Sequence, residues 1–170
     1  MLITLALISL FSAASPSLPR SDLSGIFDAV IASVAPDTGR IGMRPARERP
    51  LIVDEEASFG VFDKVVVPGD VSPRRLALRT PFSVAKRADA IRCQPWSGGS
   101  GCSVVQDGLF MSLTDFAVDS VRNELKVHAF VAWTSTIKGK PHLDWFDMEL
   151  FLARQNGQWR VVRKGTAAVG

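Results

Sequence analysis

The chain has 170 residues, with 20 Lys and Arg against 17 Asp and Glu, two Cys, two His, four Trp, ten Phe and no Tyr. At 46% hydrophobic and 22% charged it has the composition of a single globular domain with a sizeable core, neither disordered nor fibrous. Two Cys and two His do not supply several four-ligand zinc sites, the missing Tyr removes a phenol as general acid, and a net charge of +3 over this length argues against a nucleic-acid binder.

Leu2 to Phe11 is an apolar run followed by the small residues Ser12, Ala13, Ala14 and Ser15, and the first charged side chain is Arg20. Spanning a bilayer takes roughly 20 residues, so this run is too short for that but fits the core of a secretory signal. The expectation is a signal over residues 1–14, cut after Ala14, ahead of one domain over residues 15–170. A buried N-terminal strand or helix is the other reading of the same run. No later stretch is apolar for long enough to make a membrane span.

Leu23, Ile26, Phe27, Val30, Ile31 and Val34 recur at helical spacing and predict an amphipathic helix, with Ser21 as its N-cap and Pro36 and Gly39 as its stop. Residues 35–50 form a polar, arginine-bearing connection. Leu51 to Val53 and Lys64 to Val67 are β-branched, bounded by turn residues, and predict short strands. Ser72-Pro73 and Thr80-Pro81 each place a capping hydroxyl before a proline suited to the first helical position. Short middle helices are therefore expected, the second over residues 82–91. Arg74, Arg75, Arg79, Lys86, Arg87 and Arg92 cluster there. Two readings stand: Arg74, Arg75, Arg79 and Arg87 contact an anionic partner, or the charges form a solvated helix face diluted by Asp70 and Asp89.

Ser83-Val84-Ala85-Lys86 has the S-x-x-K spacing of penicillin-recognising serine enzymes. The chain lacks the S-D-N and K-T-G those enzymes also need, offering only Lys164-Gly165-Thr166, and is too short for their fold. Cys93 and Cys102 bracket Gln94 to Gly101, whose glycines bring the two ends together. That spacing fits neither a C-x-x-C pair nor the common zinc patterns, so in an exported protein a structural disulfide is expected. Gly98-Gly99-Ser100-Gly101 fits no phosphate-binding pattern and reads as a loop.

The last third of the chain is strand-like. A strand is expected over Leu109 to Val118. From Glu124 to Thr136, Leu125, Val127, Ala129, Val131 and Trp133 alternate with Lys126, His128, Phe130 and Thr134. The loop Ile137 to Pro141 leads into a strand over Leu143 to Arg154, with Phe146, Met148, Leu150 and Leu152 on its apolar face. Asn156-Gly157 between two apolar-rich runs is a strong hairpin signal, and a two-residue turn there pairs Leu152 with Val161 and Glu149 with Lys164. The expected fold class is α+β: an N-terminal amphipathic helix and short middle helices packed on an antiparallel four-stranded meander.

This order of elements, closing in Gly157-Gln158-Trp159-Arg160-Val161-Val162, resembles the nuclear-transport-factor-2-like (NTF2-like, SnoaL-like) superfamily over the C-terminal meander. The resemblance implies a curved sheet wrapped around helices as a cone with a pocket. Its catalytic members, such as ketosteroid isomerases and dehydratases, place Asp, His or Tyr inside that cone. No family catalytic residue aligns onto this chain, so none is carried over.

Three acid–base candidates follow from the residues themselves: Asp144, Asp115 and His128. Asp144 shares a face with Phe146 and Met148. If that face lines a pocket, desolvation raises the carboxyl's pKa and makes it a general base; the other reading is a carboxylate at the strand's start, open to water and capping the loop. His128 falls on the polar face, opposite Phe151 and diagonal to Glu149, as either a solvated or a catalytic histidine. His142, in the loop after Pro141, lies too far from His128 to share a metal. The function expected is an exported, soluble, non-catalytic binding or interaction module for a small apolar ligand or an envelope protein, without cofactor, metal or nucleic acid. The alternative is a cone-type pocket enzyme using one of the three candidates as base for isomerase- or dehydratase-like chemistry. A third option is attachment to an anionic envelope surface through the middle arginines.

Overall fold

Leu23, Ile26, Phe27, Val30 and Val34 recur every three or four residues, and all five are fully buried along one side of helix α1 (Arg20–Thr38). The structure, a computed structural model, describes residues 20–38, 49–55, 73–96, 99–119 and 121–170. The helix starts at Arg20 rather than after a cap at Ser21, and it runs through Pro36 to Thr38. A proline there costs the last turn one N–H donor and leaves the earlier turns, which carry the buried side chains, in place. The connection at 39–48 and the N-terminal run fall outside the described residues, as does the strand expected at Lys64 to Val67.

In chain order the strands are β1 (Leu51–Asp54), β2 (Phe82–Ala85), β3 (Ile91–Trp96), β4 (Gly99–Val104), β5 (Leu109–Asp119), β6 (Glu124–Ile137), β7 (Lys140–Gln155) and β8 (Gln158–Val169), with a one-turn helix α2 (Arg87–Ala90) between β2 and β3. Six of them form one mixed sheet in the order β2-β1-β5-β6-β7-β8, in which β1 runs parallel to both β2 and β5 and the remaining neighbours are antiparallel. β3 and β4 pair only with each other.

The expected α+β class is overturned. The described residues are mostly β, 62% strand against 21% helix, and α1 is the only helix of seven or more residues among them. The segment expected to be a helix over 82–91 divides into β2, the single turn α2 and the first residue of β3. Phe82 and Val84 alternate with Ser83 on an edge strand, and a short apolar run of this kind fits a strand as well as a helix. Pro73 opens a 3-10 turn, Pro73–Arg75, instead of a helix, and Ser72 lies outside the described residues. The parallel placement of β1 carries no local signal, because its partners lie far away in sequence.

The sheet has two apolar faces. On one, Val53, Met111, Leu113, Val127, Val131, Leu150 and Leu152 meet α1. On the other, Ile52, Phe110 and Ala132 pack under the β3–β4 hairpin with Ala90 and Val104. Leu51 to Val53 and Leu109 to Met111 are therefore buried on both sides, which is why they read as unbroken apolar runs rather than alternating ones. The expected disulfide is present: Cys93 stands directly opposite Cys102, with an S–S distance of 2.01 Å.

Two tight turns set the meander's register. Asn156 and Gly157 have φ of 52° and 77°, Lys138 and Gly139 have φ of 51° and 76°, and each pair closes a two-residue hairpin of the type I′ kind. The turn at Lys138-Gly139 is tighter than the expected 137–141 loop, so β7 starts at Lys140. The expected pair Leu152↔Val161 forms, but Glu149 does not face Lys164. Bulges between Met148 and Leu150, and between Phe151 and Leu152, slip the register and place Leu150 opposite Lys164. A further bulge in β5, with Asp115 at a left-handed φ of 53°, turns Phe116 into the core. No helix among the described residues is long and apolar enough to cross a membrane.

Candidate functional site

The alternation of β6 decides which polar side chains reach the α1 face. Leu125 to Trp133 at odd positions are buried there, and one more step of the same period adds Ser135. Register then places Asp144 opposite Trp133 on β7, in the row that also holds Leu109 and Leu51, and His142 opposite Ser135. Four polar side chains thus converge at the Ser135 end of an otherwise apolar face. Trp133 is 4% exposed and Ser135 6%, and among the described residues neither the indole Nε1 nor the hydroxyl Oγ has a hydrogen-bond partner. The Asp144 side chain is 17% exposed and stands 3.5 Å from Nε2 of His142, whose side chain is 48% exposed. Phe146 packs against the Trp133 ring with centroids 5.7 Å apart. Near this end the buried Arg49 guanidinium, 3% exposed, donates to Asp107 at 2.9 Å and to the Thr134 carbonyl at 3.3 Å. Asp144 therefore lies on the core face, as its alternation predicts.

His128 has different surroundings. It faces Glu149 rather than Phe151, because β6 and β7 pair two residues out from the expected register. Its Nε2 lies 3.3 Å from Glu149 Oε1 and its Nδ1 lies 3.5 Å from Asp147 Oδ1, while Lys126 Nζ donates to the same Glu149 oxygen at 2.9 Å. The hydrogen bond from Lys126 is the main cause that holds the Glu149 carboxyl below its usual range; burial opposes it, and the nearby Lys126 charge and His128 add to it. Arg163 lies over Phe151 at 3.3 Å and donates to Glu124 at 2.8 Å. On this side of the sheet, away from α1, the charges form a ladder in which each group answers a neighbour. Asp115 sits half-buried in the β5 bulge and accepts from the Thr114 hydroxyl at 3.3 Å. The three acid–base candidates occupy three separate places.

The four middle arginines are also dispersed. Arg74 pairs with Glu55 at 2.9 Å, Arg79 lies 3.8 Å from Asp28 of α1, Arg87 stacks 4.2 Å over Phe130 on the hairpin side, and Arg75 is exposed. Ser83 and Lys86 stand on and just after an extended strand, so the S-x-x-K spacing does not bring them together on one helix face. No group of three or more His, Cys, Asp or Glu among the described residues is arranged to hold a metal ion.

An open groove of about 1250 Å³ runs beside α1. Gly25, Ala29, Ile31 and Ala32 of the helix line it together with Trp159 and Val161 of β8, and it reaches Leu51 and Leu109 at the sheet's other end. Of its charged lining, Asp28 lies 3.8 Å from Arg79 within the wall, Asp22 and Arg49 pair outside it with Arg154 and Asp107, and Arg160 also lines it. Gly25 shapes the groove, since a Cβ there meets Trp159 Cδ1 at 3.1 Å. Asp144, Asp115 and His128 are not among its lining residues. Sequence reading identified Asp144 but passed over Trp133 and Ser135 as polar groups, although extending the β6 alternation by one step finds the hydroxyl on the buried face. No family model, curated protein or solved structure matches the chain.

Proposed function

We propose that the chain is a non-catalytic binding module working outside the cytoplasm, and that it takes a small apolar ligand in the groove between α1 and β8. The observation that carries this reading is the groove itself, about 1250 Å³, apolar along Ala29, Ile31, Ala32, Trp159 and Val161, with Asp22, Asp28 and Arg49 each in an ion pair and none of Asp144, Asp115 and His128 in its wall. Volumes of this order suit a ligand-sized guest, and such pockets use a few polar groups for orientation over a mostly apolar lining. The disulfide supports the location, because Cys93 is exposed and a solvent-facing disulfide persists in an oxidising compartment. Cleavage after Ala14 belongs to the same reading, and mass spectrometry of the mature N-terminus reads it directly. The reading also keeps the resemblance to the NTF2-like superfamily, in which a helix lies across the closing meander.

The uncharged dye N-phenyl-1-naphthylamine tests the groove. Saturable fluorescence enhancement is expected, with an affinity at least about tenfold weaker in Ala32→Trp, which fills the groove from the exposed side of α1; 1.4 kcal/mol corresponds to that factor. Equal dye binding by an Ala32→Trp protein with unchanged thermal melting refutes the reading.

A further inference from the structure

The groove between α1 and β8 has a charge imbalance that its apolar walls do not explain. β8 carries Arg160, Arg163 and Lys164 and no Asp or Glu. Among the described residues it is an edge strand of the six-stranded sheet, so no further strand stands between it and a guest. The acids of the facing helix are answered: Asp22 by Arg154, and Asp28 by the Arg79 side chain at 3.8 Å and the Arg79 backbone N–H at 3.0 Å. The cations are answered too, with one exception. Arg49 donates to Asp107 at 2.9 Å, Arg163 donates to Glu124 at 2.8 Å, and Lys164 donates to the Ser33 carbonyl of α1 at 3.1 Å. Arg160, which lines the groove between Trp159 and Val161, has no partner among the described residues.

The chemistry of this arrangement favours one kind of guest. A guanidinium stays charged at any physiological pH and offers a planar fork of N–H donors that a carboxylate accepts in parallel. The Gln155 and Gln158 amides, paired across the turn beside Arg160, add neutral polar groups at the same end of the groove. A cationic guest finds no acid that is not already engaged, and a wholly apolar guest leaves Arg160 without a partner. We propose, on the basis of the groove reading, that the ligand is an amphiphile with a single carboxylate. Its head meets the Arg160 guanidinium at the open edge of β8, and its apolar chain lies along Ala29, Ala32, Trp159 and Val161. A groove of about 1250 Å³ has room for such a chain. Arg160 then sets the ligand's class and orientation, while the apolar walls supply most of the affinity. Because Arg160 is exposed, its selectivity is modest, on the scale of a surface ion pair.

Displacement of bound N-phenyl-1-naphthylamine is the readout, with octanoate and 1-octanol as chain-matched competitors. In Arg160→Gln, octanoate is expected to displace the dye about threefold less effectively than in the parent, while 1-octanol is unchanged. Arg163→Gln, on the same strand but outside the groove's lining, is expected to leave both competitors as they are. The difference between parent and Arg160→Gln is expected to shrink at high salt, which screens an exposed pair. The parent is expected to stay in solution when spun with phosphatidylglycerol vesicles. Unchanged displacement by octanoate in Arg160→Gln overturns the carboxylate head, as does an equal loss for both competitors or an equal loss in Arg163→Gln. Cosedimentation with the vesicles that Arg160→Gln abolishes places the guanidinium against a lipid surface and overturns a free guest. The groove reading survives each of those outcomes, since saturable dye binding and Ala32→Trp test it separately; absence of dye binding overturns both.

Discussion

A buried hydroxyl without a partner lowers stability, and Ser135 provides the cleanest case in this molecule. Its Oγ is inaccessible on the α1 face and has no hydrogen-bond partner among the described residues, so folding strips the group of water without an evident return. Leaving a buried polar group unsatisfied costs about 1–3 kcal/mol. Ser135→Ala removes that penalty and opens almost no cavity. The expected outcome is a gain of about 1 kcal/mol in urea or thermal unfolding, against the usual direction of core substitutions. A loss of stability shows instead that the hydroxyl has a structural partner. This residue also marks how far the site is legible in the sequence. Leu125 to Trp133 display the period that fixes the buried face, so Asp144 falls on the right side of β7 by pattern alone. His128 does not find its true neighbours that way, because the facing residue depends on the length of the turn at Lys138-Gly139. A five-residue loop and a two-residue turn give different registers, and the sequence Ile-Lys-Gly-Lys-Pro permits either.

At the scale of elements, the β3–β4 hairpin stands apart from the large sheet and is held to it by side chains. Val104 packs on Phe110, Ile52 and Ala132, and Thr134 Oγ1 bridges the backbone of Val104, accepting from its N–H at 2.8 Å and donating to its carbonyl at 3.3 Å. A lone two-stranded hairpin is marginal in water, so the Cys93–Cys102 crosslink has a large share in keeping this cover ordered. Closing so short a loop contributes about 2–3 kcal/mol in the chain-entropy model. The Cys93→Ser/Cys102→Ser double variant is expected to lose about that much, and amide exchange is expected to rise first in 91–104 while β5 to β8 stay protected. Uniform loss of protection across the sheet contradicts a separately stapled cover. The same segment explains why the fold class read from sequence fails. The Asn156-Gly157 and Cys93/Cys102 signals are local and come through intact, whereas β1 and β2 gain their strand character from parallel partners far along the chain. Thr80-Pro81 followed by Phe82 and Val84 satisfies a helix start and an edge strand equally well, and tertiary pairing with Leu51 to Asp54 chooses the strand.

Among the described residues the two sides of the sheet are used differently: one packs against α1, the other is half covered by the hairpin and half open. The open half relies on paired charge, with Lys126, Glu149, His128 and Asp147 in one ladder and Arg163 with Glu124 beside it. This arrangement gives acid unfolding a local and a global part. As pH falls, the chain's 17 Asp and Glu lose charge while its 20 Lys and Arg remain positive, so repulsion grows over the whole surface. Glu149 adds the local part. Its folded-state pKa is depressed, chiefly by the hydrogen bond from Lys126, so the unfolded state binds the proton first as pH drops. The stabilisation from this carboxylate is present above the unfolded carboxyl's ordinary value and is lost as pH falls through the lower folded value. Because the pair is partly open to water, its worth is about 0.5 kcal/mol. Glu149→Gln separates the two parts, since at low pH the global repulsion is common to both proteins and cancels in their difference. The variant is expected to be less stable than the parent at pH 7, and the gap is expected to close as both are melted at successively lower pH toward 3. A gap that stays constant across that range assigns the effect to packing around Phe151 and Gly165 rather than to the carboxylate's charge.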